Sequence, residues 1–174
     1  ALMGISINDT LLDTIVNDMI QKTVEINNCA CSAIISNPLS DYLKLADTYQ
    51  KLKEGFHIRM IRKQQWQYIF LDELQYDRIM LHISEDTEVH QFIRCKLGPL
   101  VEYDRAHDTQ LLETLEALIQ NHNSRKLAAE SLFLHRNTMV HRINKIEEVL
   151  HCSLDDTEIM EQLEFAIKMK MYAH

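Results

Sequence analysis

The sequence predicts a mainly helical fold preceded by a small α+β part. Three glycines and two prolines in 174 residues are too few for the many tight turns of an all-β fold. Apolar residues recur at steps of three and four along several stretches, which is the spacing of one helix face. With 46% apolar and 25% charged residues, the composition is that of a soluble globular protein with a sizeable core.

The N-terminal region predicts a helix followed by a strand. Residues 1–7 are expected to be frayed, and Asn8 or Asp9 then caps a helix that runs to about Val24. Five residues at helical spacing are expected to form its apolar side: Leu11, Leu12, Ile15, Val16 and Met19. The small and apolar run from Cys29 to Ile35 predicts a buried strand, which Asn37-Pro38 ends.

The next region predicts a second helix and a second strand. The helix runs from Ser40 or Asp41 to about Glu54, with Gly55 as its C-cap. Its buried face is expected to contain Leu43, Ala46, Tyr49 and Leu52. The alternating residues Trp66, Tyr68 and Phe70 fit an edge strand, whereas the residues just before them fit a helix equally well.

Helices are predicted for the rest of the chain. Residues 73–83 and 86–96 predict two short helices, and Gly98-Pro99 is expected to break the second, with Pro99 starting another. Asp108 or Thr109 is expected to cap the next helix, whose stripe consists of Leu111, Leu112, Leu115 and Leu118. A last helix begins at Asp155-Asp156, and its buried face is expected to contain Ile159, Leu163, Ala166 and Ile167.

Residues 123–149 predict a helix-turn-helix. The first helix is expected from about Ser124 to Ser131, with Asn123 or Ser124 as its N-cap, and the small Ala128 and Ala129 allow two crossing helices to approach closely. Leu134, in the apolar turn, can fill the angle between the helices. The second helix is expected to start near His135 or Arg136, and its buried stripe consists of Met139, Ile143, Ile146 and Leu150.

The other faces of this second helix are rich in hydrogen-bond donors. They carry Arg136, Asn137, His141, Arg142, Asn144 and Lys145. Arginine can pair with guanine O6 and N7, and asparagine with adenine N6 and N7, so such a face suits the major groove of DNA. We expect Arg136, Asn137 and His141 to read bases. Thr138, Arg142 and Lys145 are expected to hold phosphates. The alternative is a solvated helix face that happens to be basic.

The distribution of charge resolves an apparent conflict with DNA binding. The net charge is −8, but residues 123–145 contain five lysines and arginines against one acid, a local charge of +4. The remaining residues therefore sum to −12. Because phosphate responds to the local field, this region can attract DNA while the acidic remainder limits non-specific binding.

Several other classes of protein find no support in the sequence. No run of eighteen apolar residues and no signal segment occurs, which predicts a cytoplasmic protein without a membrane partner. The four cysteines fit no metal-ligand spacing and are expected to be reduced, mostly in the core: Cys29, Cys31, Cys95 and Cys152. The nine histidines form no HxxxH pair. We therefore expect no metal, no cofactor and no catalytic residues, hence not an enzyme.

From about Cys31 onward the chain resembles the PucR-type bacterial transcription regulators, which include purine-catabolism and sugar-diacid regulators. Three stretches carry the resemblance: LGPLVEYDRAHDTQLLETLEALIQ at 97–120, LAAESLFLHRNTMVHRINKIEEVL at 127–150 and LDD at 154–156. The family's C-terminal part is a helix-turn-helix similar in layout to the nucleoid protein Fis. The resemblance implies DNA-contacting roles for Arg136, Asn137, Thr138, His141 and Arg142. Position 140, often basic in relatives, is Val140 here.

The part before residue 97 resembles the end of the GGDEF-like domain that such regulators carry. The predicted strand, helix and strand match the closing β-α-β of that fold, without its signature and its earlier strands. The resemblance thus implies that the chain is the C-terminal portion of a longer regulator. It also implies a partial GGDEF-like region at 1–84 and a helical DNA-binding domain at 85–174. The sequence contains neither the glycine-rich turn nor the metal-binding acid pair that nucleotide cyclisation needs, so this activity is not expected.

The function predicted from the sequence is sequence-specific binding of double-stranded DNA in transcription regulation. One helix reads few bases, so a homodimer on repeated half-sites is expected. The alternative is a helical protein-interaction or effector-sensing module without independent DNA binding. Trp66, Tyr68 and Tyr76 are candidates for an effector pocket, with core or interface packing as the other interpretation.

Overall fold

The computed structural model describes residues 9–28, 30–39, 41–63 and 67–173. The chain divides into two units, residues 1–79 and 80–174, and the boundary falls inside the third helix. The expected frayed start, the caps at Asn8 and Ser40, Cys29 in the first strand and Trp66 in the second lie outside the described residues. The domain assignment at residue 84 stays a prediction.

The first unit contains the predicted helix, strand, helix and strand in that order. They are α1 (Asp9–Asn27), β1 (Ala33–Ile35), α2 (Leu45–Arg62) and β2 (Tyr68–Phe70), followed by α3 (Gln75–Ser84). One 3-10 turn precedes α2 at Tyr42–Lys44, and another follows β2 at Leu71–Leu74. The strands are parallel, with Ala33 opposite Tyr68. Since α2 connects two parallel strands, the three elements form a β-α-β unit. The GGDEF-like likeness stays a prediction.

Gly55 does not end α2, contrary to the expected C-cap. The helix continues to Arg62, and Lys63 ends it in the left-handed conformation with φ 52°. Gly55 is buried, and a Cβ added there would lie 2.6 Å from Ile34 Cδ1 and 3.0 Å from Leu74 Cδ1. Glycine suits this position because α2 approaches the ends of these two side chains closely, and a larger residue would have to displace them.

The buried faces of α1 and α2 differ from those expected. In α1 the buried residues are Val16 and Ile20, whereas three of the five expected ones are exposed: Leu11, Ile15 and Met19. In α2 the buried residues are Thr48, Gly55 and Ile58, whereas Leu43, Ala46 and Tyr49 are exposed and Leu52 is half-buried. Both helices carry apolar residues on more than one face, so spacing alone did not identify the face that is covered.

The second unit consists of helices around one core. After the end of α3 come α4 (Thr87–His107), α5 (Leu111–Gln120), α6 (Arg125–Ser131), α7 (Arg136–Leu150) and α8 (Thr157–Tyr172). All five contribute buried apolar residues, among them Leu100, Leu115, Ala128, Ile146 and Ala166. None of the helices in the described part of the chain is long and apolar enough to cross a membrane.

Gly98-Pro99 does not break a helix, so the two helices expected on either side are one. Pro99 lies inside α4, where its ring removes a hydrogen bond and crowds the preceding turn. Leu97 and Leu100, on either side of it, are almost completely buried. Burial of these two leucines offsets the local cost, which is a case of tertiary packing overriding propensity.

The last helix has the N-cap and most of the buried face that the sequence predicts, whereas the predicted burial of the cysteines is not found. Asp156 caps α8 by accepting hydrogen bonds from the backbone N–H of Glu158 and Ile159. Leu163, Ala166 and Ile167 are buried, as expected, and Ile159 is half-buried. Cys31 and Cys152 are half-buried and Cys95 is exposed, so none of the three cysteines that the structure describes lies in the core, where most were expected. Partial burial raises the pKa of the Cys152 thiol.

Candidate DNA-binding surface

The helix-turn-helix forms at the predicted residues, and each helix has its own side-chain cap. The Ser124 hydroxyl accepts a hydrogen bond from the backbone N–H of Leu127 at the start of α6, over 3.4 Å. At the start of α7, His135 Nδ1 accepts one from the backbone N–H of Asn137, over 3.3 Å. Serine is a typical N-cap residue, so the start of α6 could be predicted from it, whereas the cap by His135 is not predicted by the sequence.

Close approach of the helices depends on two alanines, as expected. Ala128 and Ala129 are buried where α6 meets α5 and α7. The backbone N–H of Leu134 donates to the carbonyl oxygen of Ala129 over 2.8 Å and thereby fixes the turn. Leu134 is half-buried between the helices, whereas Phe133 is 97% exposed and has a left-handed backbone with φ 54°.

α7 buries one stripe and exposes the opposite face. Met139, Ile143 and Ile146 are buried, and Leu150 is half-buried. Five polar side chains on the remaining surface are exposed: Arg136, Asn137, Thr138, His141 and Asn144. The residues expected to read bases therefore face solvent, as direct readout requires.

Arg142 is half-buried and engaged with the protein itself. Its Nη1 donates to the Thr114 hydroxyl oxygen over 3.1 Å, and its Nη2 donates to Gln110 Oε1 over 3.3 Å. These bonds hold α7 against the beginning of α5. A phosphate contact by Arg142 would therefore require sharing or exchanging these partners.

Asp104 is the other charged group at this junction. Asp108 or Thr109 was expected to cap α5, but α5 begins at Leu111, and Asp104 provides the cap from α4. Its carboxylate accepts from the backbone N–H of Leu111 over 2.8 Å and of Leu112 over 2.9 Å. Partial burial alone would raise the pKa of Asp104, but these bonds, the Thr109 hydroxyl and Arg142 outweigh it and lower the pKa.

Lys145 is also half-buried and has partners in the protein. Its Nζ lies 2.9 Å and 3.0 Å from the two carboxylate oxygens of Glu148, and 5.3 Å from the centroid of the Tyr103 ring. The hydrogen bond with Glu148 is the main reason that the pKa of Lys145 is raised. Glu148 itself is exposed on the outer side of α7.

Two grooves flank the first half of α7. One of about 570 Å³ lies between α6 and the start of α7, and Lys126, Arg136 and Val140 belong to its lining. The other, about 310 Å³, lies beside the α4–α5 junction, and Thr138 and His141 belong to its lining. The exposed part of α7 is therefore a ridge between two depressions.

For two exposed residues of this surface the sequence predicts no contact with DNA. Lys126 is exposed on α6, and in the sequence it contributes only to the local positive charge. Val140 is 44% exposed on α7, although it was noted only as a departure from relatives. Its position, four residues after Arg136 and three after Asn137, is the signal that places it on the same face.

Comparison with known proteins agrees with this geometry. Residues 111–169 match the PucR C-terminal helix-turn-helix domain family. The chain is 32% identical over 91 residues to the purine catabolism regulatory protein of Bacillus subtilis, covering 52% of this chain and 17% of that protein. It is 31% identical over 133 residues to the proline-responsive transcriptional activator PutR of the same organism, covering 74% and 32%.

The chain spans less than a third of the length of these two relatives. No solved structure gives a significant match. The family match covers α5, α6, α7 and most of α8, and so includes both helices of the helix-turn-helix with their caps. The resemblance seen in the sequence is thus confirmed for the C-terminal part: residues 111–169 belong to the PucR C-terminal helix-turn-helix domain family, and both relatives are regulatory proteins.

Proposed function

We propose that the chain binds double-stranded DNA sequence-specifically by inserting α7 into the major groove, and that it regulates transcription in this way. The observation that carries the proposal is the exposure of Arg136, Asn137 and His141 along one ridge of α7. A helix of this kind fits the major groove, which is about 12 Å wide. In this proposal Arg136, Asn137 and His141 contact base edges.

Phosphate contacts complete the proposed interface. Thr138, Arg142 and Lys145 lie together along the second groove, to one side of the ridge. They are the proposed phosphate contacts, because the DNA backbones pass on both sides of a helix that enters the major groove. Exposed Lys126 on α6 lies along the other groove and suits the opposite strand. Binding at this surface exchanges the Lys145–Glu148 pair for a phosphate contact.

A homodimer is part of the proposal. A single recognition helix buries too little surface for useful affinity, and regulators with this motif overcome the limit by binding two half-sites. The half-sites are then separated by about one helical turn of DNA, roughly 34–36 Å, or by a multiple of it. Cytoplasmic location follows from this role and belongs to the same proposal.

The proposal is tested by selecting DNA from a random library with the full chain and then measuring affinity across salt concentrations. A repeated motif should emerge, and log affinity should fall with log salt by about 0.9 for each neutralised phosphate. Arg136→Ala should weaken binding of the selected sequence. An absent salt slope, with no motif selected, would instead support the protein-interaction module.

A separate observation supports an effector site in the first unit. A groove of about 500 Å³ opens at the carboxyl ends of β1 and β2, where parallel sheets commonly bind ligands. Its lining includes Asn37, Asp72 and Lys51. Tyr68 and Tyr76, the sequence candidates, are not part of this lining, and Trp66 lies outside the described residues. The proposed effector is therefore a small polar molecule.

The effector site can be tested by thermal unfolding of the full chain against a panel of small polar metabolites. One compound should raise the midpoint temperature of unfolding of the native chain. The same compound should raise the midpoint of Lys51→Met by less. Lys51 forms an ion pair with Asp47 at the surface of α2, and such surface pairs contribute little, so the substitution itself should alter stability little. A panel without any shift, or a shift unchanged in Lys51→Met, contradicts this site.

A further inference from the structure

We infer that Val140 contacts the 5-methyl group of a thymine, so that each half-site of the operator contains a T–A pair that the protein requires. The inference rests on the proposed function and deepens it, because it specifies a base for a residue that has no hydrogen-bonding group. It starts from the position of Val140 on the ridge of α7 and from the chemistry of base edges.

Val140 lies in the middle of the proposed base-reading face. Residues three and four apart on a helix are neighbours, so Val140 lies beside Arg136 and Asn137 on one side and Asn144 on the other. All three neighbours are exposed, and 44% of the Val140 surface is exposed with them. A helix that approaches DNA with these polar side chains brings the valine methyl groups to the bases as well.

Stability of the protein does not account for a valine at this position. The buried stripe of α7 is complete without it, since Met139, Ile143 and Ile146 are each at most 1% exposed. Valine also has a lower helix propensity than the long polar residues that usually occupy exposed helix positions. Part of the side chain lines the groove toward α6 together with Ala129, Leu134 and Met139, but 44% of its surface stays exposed to solvent.

The chemistry of the major groove selects the partner. Each base edge presents donors or acceptors there, and the only apolar group is the C5-methyl of thymine. A valine placed against guanine, adenine or cytosine would remove polar atoms from water without giving them a hydrogen bond. Against thymine, two apolar surfaces leave water together. Valine is also suited to this task because its β-branched side chain is nearly fixed in one rotamer on a helix.

The flanking residues locate the thymine within the half-site. Arg136 and Asn137 are within one turn of Val140, and they suit guanine and adenine respectively. The required T–A pair should therefore lie next to, or one step from, the base pair that Arg136 or Asn137 contacts.

The test begins with the sequence that the full chain selects from random DNA. Each thymine of that sequence is replaced in turn by deoxyuridine, which lacks only the methyl group, and the dissociation constant is measured. One position per half-site should bind about fourfold more weakly, as expected for the loss of one buried methyl contact. The other thymines should give no change.

Val140→Ala supplies the second arm of the experiment. This variant should bind the thymine and deoxyuridine forms of that position equally well, at about the affinity of the native chain for the deoxyuridine form. Alanine is a better helix former at an exposed site, so the variant should fold. Met171→Ala is the matched control, because Met171 on α8 is 45% exposed but lies away from α7 in sequence and outside the ridge. Met171→Ala should keep the fourfold preference for thymine over deoxyuridine.

Two outcomes overturn the inference alone. In the first, the chain selects a sequence, but deoxyuridine has no effect at any position. In the second, Val140→Ala keeps the full preference for thymine, so another group contacts the methyl. Failure to select any sequence would overturn the proposed function, and the inference with it, which separates that result from the first two.

Discussion

Arg142 Nη1 lies 3.1 Å from the hydroxyl oxygen of Thr114, and this hydrogen bond joins the proposed recognition helix α7 to α5. Thr114 is completely buried, and its own hydroxyl hydrogen is directed to the carbonyl oxygen of Gln110, 2.7 Å away. The free lone pairs of the hydroxyl therefore accept from Arg142. The orientation of α7 relative to α5 depends on a residue that is also a proposed phosphate contact.

The two roles of Arg142 can be separated with Arg142→Met and Thr114→Val. Each variant removes the bond between α5 and α7, so each should lower the free energy of unfolding by about 1 kcal/mol. Only Arg142→Met should also reduce the salt slope of DNA binding, by about 0.9. Urea unfolding and gel shifts across salt measure both. Equal salt slopes in the two variants would mean that Arg142 positions α7 without holding a phosphate.

Replacement of Arg136 by alanine should impair mainly sequence specificity, whereas replacement of Lys145 should impair DNA affinity in general. Arg136→Ala should cost about 1–3 kcal/mol of binding free energy on the base pair that it reads, and the selected motif should become degenerate there. Lys145→Ala should weaken all sequences nearly alike and reduce the salt slope by about 1. Parallel selections with both variants check this. Similar motifs and slopes would refute the division between base and phosphate contacts.

Glu148→Gln should strengthen DNA binding. Glu148 holds Lys145 at 2.9 Å and is exposed on the outer side of α7, where a negative charge repels phosphate. Its replacement releases Lys145 and removes the repulsion, so affinity for all sequences should rise. Glu161→Gln on α8 changes the net charge equally, away from α7, and should have little effect. An equal gain in both variants would show that only the net charge matters.

Asp104 should make the helical unit sensitive to acid. Because the folded-state pKa of Asp104 lies below its ordinary value, its contribution to stability is present above that value, about 3.9, and is lost as pH falls through the folded pKa. Asp104→Ala should therefore lower the free energy of unfolding by about 1 kcal/mol at pH 7, the typical contribution of a helix cap. At an acid pH below the folded-state pKa, where the carboxyl is protonated, most of this difference should disappear.

Urea unfolding of both chains at the two pH values measures the effect. Asp108→Asn is the control, because Asp108 is an exposed neighbouring carboxylate that ends α4 and takes no part in the α5 cap. A difference between native chain and Asp104→Ala that is the same at both pH values would show that the charge of Asp104 is unimportant.

The helix-turn-helix could be predicted because its determinants are local. Ser124 and His135 cap helices that begin one residue later, and Ala128 and Ala129 lie within the helix whose packing they permit. The stripe of Met139, Ile143 and Ile146 needs only the helical period. In such a stretch, every signal lies within one or two turns of the residue that it affects.

The errors fall where a partner is distant in the sequence. Gly55 looked like a C-cap because its contact with Ile34 cannot be seen from neighbouring residues. The hydrogen bond between Arg142 and Thr114 was missed for the same reason, since the two residues are 28 positions apart, whereas the phosphate contact expected of Arg142 stays a prediction. Pro99 looked like a helix start, but burial of the leucines around it is a property of the whole core. Long-range contacts decide such cases, and periodicity carries no information about them.

Phe133 provides a last prediction, because its backbone has the left-handed conformation, with φ 54°, while its ring is 97% exposed. This conformation costs a residue with a Cβ about 1–2 kcal/mol, whereas glycine adopts it freely. Glycine loses part of this advantage because its unfolded chain is more flexible. Phe133→Gly should therefore be more stable than Phe133→Ala by about 0.5–1 kcal/mol.

The comparison of Phe133→Gly with Phe133→Ala isolates the effect of the backbone conformation on stability, since both variants lack the ring. Urea unfolding should rank Phe133→Gly above Phe133→Ala, and also at least level with the native chain, because the exposed ring has almost no packing to lose. If Phe133→Ala were as stable as Phe133→Gly, the turn would not be strained at this residue. If both variants were much less stable than the native chain, the ring would be packed in solution, contrary to its exposure.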